Sequence, residues 1–284
     1  MKMDFCPICG SKKLVNRGSR EIAQFLTERC ELGEVMTEGL YCQICDFFFF
    51  KRRLSSGEAE KLYVGYRDQK YNDLRLRVEP SYAGFIPSFD NKFSPYYIDR
   101  AQEYAEVVDI FSEIYPKTVM DFGGDGFFPG RIFPAAEVRI DDLSAGKSGN
   151  GLCDFVFASQ VMEHVSNPRL TLLQAMEYLS DEGIICVDVP KQYDGLLLSS
   201  LDEQEKSGGP LMIMHEHINH FSQRSIRALL RAVNLVPIFE AVLPKYNVIL
   251  ALACRPGSKV ASEFLGQKIS RECKWALNMI RYSL

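Results

Sequence analysis

Between Thr118 and Cys254 the sequence repeats one pattern: a short apolar run, then a stretch with apolar residues every third or fourth place. Thr118–Phe122, Glu137–Ile140, Asp154–Ala158 (DFVFA) and Ile184–Val189 read as strands. A helix opens at Asn167-Pro168, with Leu170, Leu173, Met176 and Leu179 expected inward and Gly183 as its stop. Another begins after Ser222, its N-cap, with Ile226, Leu229, Leu230 and Val233 inward. A third precedes the series, from Ile98 to Tyr115, with Ala101, Tyr104, Val107, Val108, Phe111 and Ile114 on one stripe and Pro116 after it. Alternating strands and helices build a parallel sheet covered on both faces. The runs Val236–Val242 and Val248–Cys254 are joined only through Pro244-Lys245-Tyr246, so they pair antiparallel. The expectation is an α/β chain with a doubly wound, mostly parallel, Rossmann-like sheet and a final antiparallel strand. The tail after Pro256 reads as helical around Cys273–Tyr282.

A different unit precedes it. Cys6-Pro-Ile-Cys9 and Cys42-Gln-Ile-Cys45 are two C-x2-C knuckles. Four thiolates at this spacing complete a tetrahedron around Zn2+ and leave no open position for a substrate, so the zinc is structural. So short a segment has little core of its own, and metal binding supplies much of its folding energy. Cys30 lies outside either knuckle and reads as a spare thiol. Phe47-Phe48-Phe49-Phe50 reads as a strand buried on both faces. The expected division is a zinc-binding module with a tyrosine-rich segment over 1–85, then a second domain over 86–284.

Bulk properties narrow the function. The opening MKMDFCPICG has no apolar export segment, so the nine cysteines point to a reducing, cytoplasmic compartment. No apolar run approaches the ~20 residues of a membrane span. A net charge of −4 argues against a nucleic-acid partner, since phosphate binding shows as a basic excess.

Strand Thr118–Asp121 runs into Phe122-Gly123-Gly124-Asp125-Gly126, and about twenty residues on the second strand ends in Asp141-Asp142. Glycines let a ligand approach the backbone, and an acid at the second strand end can accept both ribose hydroxyls. Together they indicate an adenosine-bearing ligand. A carboxylate at Asp125 repels a pyrophosphate but tolerates S-adenosylmethionine, which carries a sulfonium and an ammonium.

Three of the four histidines, His215, His217 and His220, fall in MIMHEHINHFS. They could bind a metal or do proton chemistry. Beyond Glu216 an obvious further ligand set is missing, and transfer of a methyl group requires the acceptor to lose a proton, so proton chemistry is favoured. His215 and His220 could equally just hydrogen-bond the loop. The segment from Leu62 to Arg77 interleaves Tyr63, Tyr66, Arg67 and Tyr71, which suits either a polar acceptor or simple packing.

VMDFGGDG, IDDLS, DFVFASQVMEHVSNP and MHEHINHFSQRSIRALLRAVNL together resemble the class I S-adenosylmethionine-dependent methyltransferases. More narrowly they resemble those with a four-cysteine zinc module, which include sugar C-methyltransferases and enzymes of surface-polysaccharide loci. The resemblance runs from Cys6 to about Arg255. It implies that Asp121, Gly123, Gly124 and Gly126 hold the methionine part of the cofactor. It also implies that Asp141 or Asp142, with D-L-S favouring Asp142, holds the ribose, and that Glu163, which follows the strand lining the site, is a further cofactor contact. It places catalytic acid/base residues at Glu216 and His217, with His164 and His215 as further candidates. The acceptor it implies is a nucleotide-linked sugar or glycan precursor. Asp125 stands where the family's turn has a glycine, and Ser144 to Asp154 is a short link. The tyrosine preceding the sugar enzymes' E-H is replaced by Met214, and their large C-terminal domain does not fit within 284 residues. Transfer to carbon of a sugar is therefore not implied. Three other readings stay open: a methyltransferase acting on a non-sugar small molecule or a protein; a catalytically inactive methyltransferase-like scaffold or binding module carrying a zinc ribbon; and, less compatible with E-H-V and the final antiparallel strand pair, a nicotinamide oxidoreductase.

Overall fold

The computed structural model describes residues 2–86, 95–109, 115–142, 146–193, 198–209, 211–243 and 245–263. In chain order come β1 (Leu14–Ile22), α1 (Gln24–Arg29), β2 (Met36–Cys42), β3 (Phe47–Phe50), α2 (Ser56–Tyr63) and α3 (Gln69–Val78). They are followed by α4 (Pro95–Asp109), β4 (Thr118–Phe122), α5 (Phe127–Ile132), β5 (Glu137–Asp142) and β6 (Gly146–Ser148). Then come β7 (Cys153–Ser159), α6 (Pro168–Ala175), β8 (Leu179–Pro190) and α7 (Leu198–Lys206). β9 (Ile213–Met214), β10 (Asn219–His220), α8 (Gln223–Ala232), β11 (Val236–Leu243) and β12 (Val248–Cys254) follow. No described helix is long and apolar enough to cross a membrane.

The chain divides into two units, and the first draws on three stretches: Met1–Ile86, Gln160–Leu172 and Val189–Val233. Its sheet has the order β10-β3-β2-β1-β9. All four phenylalanines of β3 are fully buried, as an unbroken aromatic run requires. β9 pairs parallel with β1 through Glu21–Ile213 and Ile22–Met214, while β10 pairs antiparallel with β3 through Asn219–Phe49 and His220–Phe48. The histidine-bearing segment is thus pinned at both ends. α8 starts at Ser222, whose hydroxyl accepts from the Ser225 N–H, and buries Ile226, Leu229 and Leu230.

The second unit comprises Pro87–Ser159, Leu173–Asp188 and Asn234–Leu284. Its sheet has the order β11-β12-β8-β7-β4-β5-β6. β4 pairs parallel with both β5 and β7, and β7 with β8, while β11 and β12 are antiparallel. The expected α/β, mostly parallel sheet is present. Tyr104, Val119, Phe155, Phe157, Phe239 and Leu250 belong to its apolar core. β6 is only three residues long and antiparallel to β5. Only residues 143–145 separate them, whereas a parallel crossover needs a dozen or more.

Three local expectations change. α6 ends at Ala175, a 3-10 turn covers Met176–Tyr178, and β8 begins at Leu179. The shorter helix buries Leu172 and Ala175, while Leu170 and Leu173 are exposed. Gly183 is no helix stop but lies inside β8. A Cβ there would come 3.0 Å from the Cys153 carbonyl oxygen, and the β7–β8 register shifts between Cys153 and Phe155. A glycine inside a strand commonly marks such an irregularity. α4 starts at Pro95 and buries Ala101, Tyr104 and Val107 as expected. Phe111, Ile114 and the expected helix at Cys273–Tyr282 lie outside the described residues.

Candidate functional site

The two knuckles bring four sulfurs together. Cys6 Sγ lies 3.5 Å from Cys45 Sγ, and Cys9 Sγ 3.6 Å from Cys42 Sγ. All four lie within 4.8 Å of one another. Thiolates ~2.3 Å from a tetrahedral ion are roughly 3.8 Å apart, so the set fits Zn2+ and is too wide for disulfides. The second knuckle is braced from behind. Asp46, at φ 59°, offers its carbonyl to the Ser222 hydroxyl at 2.8 Å and the Tyr193 hydroxyl at 2.7 Å. Arg224 donates to the Ile44 carbonyl at 2.9 Å. Cys30 is buried and unbridged, its thiol pushed up to about 12 by burial.

In the second unit, β4 ends at Asp121 and Phe122, and the following turn wraps around the Asp121 carboxylate. Asp121 Oδ2 accepts the Gly126 N–H at 2.7 Å. A Cβ on Gly124 would lie 2.4 Å from both Asp121 carboxylate oxygens, so only glycine fits there. Gly123 and Gly126 take φ of 79° and 81°. Asp125 Oδ1 accepts the Phe127 N–H at 3.1 Å and so helps shape the turn. Burial lifts the Asp121 carboxyl to about 7, partly opposed by the Gly126 N–H, with Asp125, Asp142 and Asp188 adding repulsion. Among the two acids ending β5, Asp141 accepts the Tyr178 hydroxyl, with Lys147 Nζ at 3.5 Å. Side chains alternate along a strand, and it is Asp142 whose charge acts on Asp121. Two residues beyond the sequence reading close this end of the sheet. Arg100 donates to Ser159 Oγ at 2.9 Å and to Asp188 Oδ1 at 3.3 Å, with Asp188 fully buried at the end of β8. Pairing of a helix residue with a strand end 88 positions away leaves no local signature.

The histidines lie in the first unit. His164 and His217 meet with ring centroids 4.6 Å apart, nearly perpendicular. His164 Nδ1 lies 3.2 Å from the Glu216 carbonyl and His217 Nδ1 3.0 Å from the Gln192 carboxamide. Glu163, 1% exposed, has Oε1 3.7 Å from His164 Nε2. Burial pushes His164 down to about 4; burial and then the neighbouring His164 push His217 down to about 3. Both imidazoles are neutral at physiological pH. The Glu216 carboxylate is held by Arg75 at 2.7 Å and by the hydroxyl of the fully buried Tyr71. It is the Glu216 carbonyl, rather than its carboxylate, that contacts a histidine ring. His215 Nε2 lies 2.8 Å from Glu79 Oε1 and 3.3 Å from an Arg75 amino group. His220 is buried edge-on between Phe48 and Phe50. The tyrosine-rich segment gathers beside the pair: Tyr63 meets His164 edge to face at 6.2 Å, Tyr66 lies 5.6 Å from Tyr63, and Arg67 stacks on Tyr66 at 4.8 Å. The buried Tyr63 hydroxyl has no hydrogen-bond partner among the described residues.

Arg53 locks the two histidine loops. It is fully buried and donates to the Ser166 and Val165 carbonyls at 3.0 Å and to the Phe50 and Ile218 carbonyls at 3.1 Å. The Ile218 and Asn219 N–H groups donate to the Glu163 carbonyl at 2.9 and 3.0 Å, and Asn219 Nδ2 donates to the Met162 carbonyl at 2.8 Å. Sequence reading missed Arg53, Asn219 and Gln192. Arg53 follows Lys51-Arg52, where a run of charge ordinarily signals a solvated surface.

The profile of a family described as a methyltransferase domain matches residues 96–238. No curated protein sequence matches the chain. Among solved structures it is similar to an O-methyltransferase family protein from Burkholderia thailandensis, at 13% identity and TM-score 0.44, over 70% of this chain and 64% of that one. It is similar to the N-methyltransferase NodS from Bradyrhizobium japonicum WM9, at 12% identity and TM-score 0.39, over 58% and 99% of the two chains. Likewise it is similar to the plantazolicin methyltransferase BpumL in complex with SAH, at 14% identity and TM-score 0.42, over 64% and 93%. The match spans under two thirds of the Burkholderia protein's length.

Proposed function

We propose that this chain, which belongs to the methyltransferase-domain family, transfers the methyl group of S-adenosylmethionine to a small polar acceptor. The observation that carries the cofactor assignment is the Asp121 carboxylate enclosed by the Gly123–Gly126 turn, with Asp142 acting on it from the end of β5. Asp121 takes the methionine ammonium and Asp142 the ribose hydroxyls. A dinucleotide is disfavoured because Asp125, in the turn itself, would oppose its pyrophosphate.

On the acceptor side, His217 takes the proton, with His164 second and Glu163 and Glu216 setting the charge around them. Tyr63, Tyr66 and Arg67 contact the acceptor, and Tyr71 acts through Glu216. The resemblance to sugar-modifying enzymes makes a nucleotide-linked sugar or glycan precursor the first class to assay. The four cysteines hold a structural zinc that organises the first unit.

Calorimetric titration with S-adenosylmethionine and its demethylated product tests this reading. The expected result is micromolar binding that is lost in Asp121→Ala and Asp142→Ala. Absence of binding to either compound by the folded, zinc-loaded protein overturns it in favour of a non-catalytic scaffold.

A further inference from the structure

Beyond the four-cysteine set, one other group of side chains in the described residues can hold a metal ion: Glu163, His164 and His217, whose ligand atoms all lie within 4.8 Å of one another. We infer that these three residues bind a divalent transition-metal cation, with Zn2+ the simplest occupant, at a site separate from the thiolates.

Ligand chemistry comes first. Two imidazoles and one carboxylate form the donor set of open catalytic metal sites, which leave a position for water or an acceptor atom. Donors about 2.1 Å from a tetrahedral ion lie roughly 3.4 Å apart. His164 Nε2 and Glu163 Oε1, at 3.7 Å, are close to that already.

The surroundings fit equally well. A metal-bound histidine nearly always gives its other ring N–H to a carbonyl or carboxylate, which fixes tautomer and ring orientation. His164 Nδ1 faces the Glu216 carbonyl at 3.2 Å, so an N–H there leaves the Nε2 lone pair toward Glu163. His217 Nδ1 lies 3.0 Å from Gln192 Nε2. A half-turn of the carboxamide exchanges its nitrogen and oxygen, and Gln192 Oε1 has no hydrogen-bond partner among the described residues, so the turned amide accepts the Nδ1–H and leaves His217 Nε2 for the ion. The ring planes stand 81° apart, so the two rings present lone pairs from different directions instead of stacking. The backbone holding the site is rigid, since Arg53 and Asn219 tie residues 162–166 to residues 218–219.

A cation here supplies a Lewis acid for an acceptor oxygen. With the ion bound, the acidified acceptor hydroxyl loses its proton to solvent water, and His217 and His164 serve as ligands; the role of His217 as base belongs to the metal-free protein. That role rests on the methyltransferase reading; the metal site itself does not.

Zinc-loaded full-length protein titrated with Co2+ tests the inference, with metal counted by emission spectroscopy. The expected result is one Co2+ beyond the thiolate-bound metal, with ligand-field bands but no sulfur-to-cobalt charge transfer. Glu163→Gln and His217→Gln should weaken that second equivalent at least tenfold while thiolate-bound zinc stays in place. Gln192→Ala, which leaves all three ligands intact, should weaken it by about tenfold or more. No second equivalent at millimolar Co2+, or unchanged affinity in Glu163→Gln, overturns the site. S-adenosylmethionine binding measured on the same samples separates the two readings. Cofactor binding without a second metal removes the metal site alone, and a second metal without cofactor binding removes the methyltransferase reading alone.

Discussion

His164 and His217 meet edge to face with ring centroids 4.6 Å apart, although 53 positions separate them in the chain. What holds them is Arg53, whose guanidinium spans the carbonyls that follow each histidine. Replacing a buried charge that satisfies several carbonyls leaves those acceptors unpaired. Arg53→Met should therefore destabilise the protein by about 3–5 kcal/mol. Urea unfolding followed by circular dichroism checks it, and a change under about 1 kcal/mol would refute the locking role.

Cofactor affinity should depend on pH through Asp121. Its carboxyl titrates near 7 in the free protein, against an ordinary value of 3.8. The folded, ligand-free chain therefore binds this proton up to about pH 7, and pairing with an ammonium requires its release. Affinity should fall by up to about tenfold per pH unit below 7 and level off above it. Calorimetry at pH 6 in buffers of different ionisation enthalpy should register the released proton, and Asp121→Asn should abolish that signal.

Removing zinc should unfold the knuckles. Cys6 and Cys45 come from opposite ends of the module, so Cys6→Ser or Cys45→Ser breaks the link that closes it. Each variant should lose its thiolate-bound zinc and become protease-sensitive over residues 1–50. A chromogenic chelator assay with limited proteolysis reads both effects, and zinc retained at full stoichiometry would count against the assignment.

His220 should make stability fall in acid. Burial between Phe48 and Phe50 holds its pKa well below 6.5, whereas the unfolded chain protonates it at about 6.5. The unfolded state then binds the extra proton, so this contribution is intact above about pH 6.5 and declines as pH falls below it. His220→Phe should lose less stability between pH 7.5 and 5.5 than the parent chain. Equal losses in urea midpoint would show that His220 is not responsible.

Tyr63→Phe should leave stability nearly unchanged, because its hydroxyl has no partner among the described residues. Once an acceptor is identified, the same variant should raise its KM several-fold at similar kcat, as loss of a hydrogen bond to the bound acceptor requires. An unaltered KM would remove Tyr63 from the acceptor site.

Two kinds of information were local enough to be read from the chain alone. The two C-x2-C knuckles announce a four-sulfur cluster, because each tight turn sets its two sulfurs side by side and the two turns meet. The strand that ends at Asp121 announces its turn because only glycine tolerates the carboxylate folded back against Gly124. The antiparallel β11–β12 pair follows from a link too short for a crossover. Tertiary structure decided the rest. β8 begins five residues before the apolar run, and α6 turns Leu172 and Ala175 inward while Leu170 and Leu173 face outward. The roles of the histidines were decided by what folding places beside them. His220 became packing between phenylalanines, His215 became a partner of Glu79, and only His217 was brought to His164. Spacing within MIMHEHINHFS could not reveal this, because the partners come from segments scattered from Phe48 to Gln192. A side chain's chemistry is fixed by its type, but its charge state and its use are fixed by burial and neighbours.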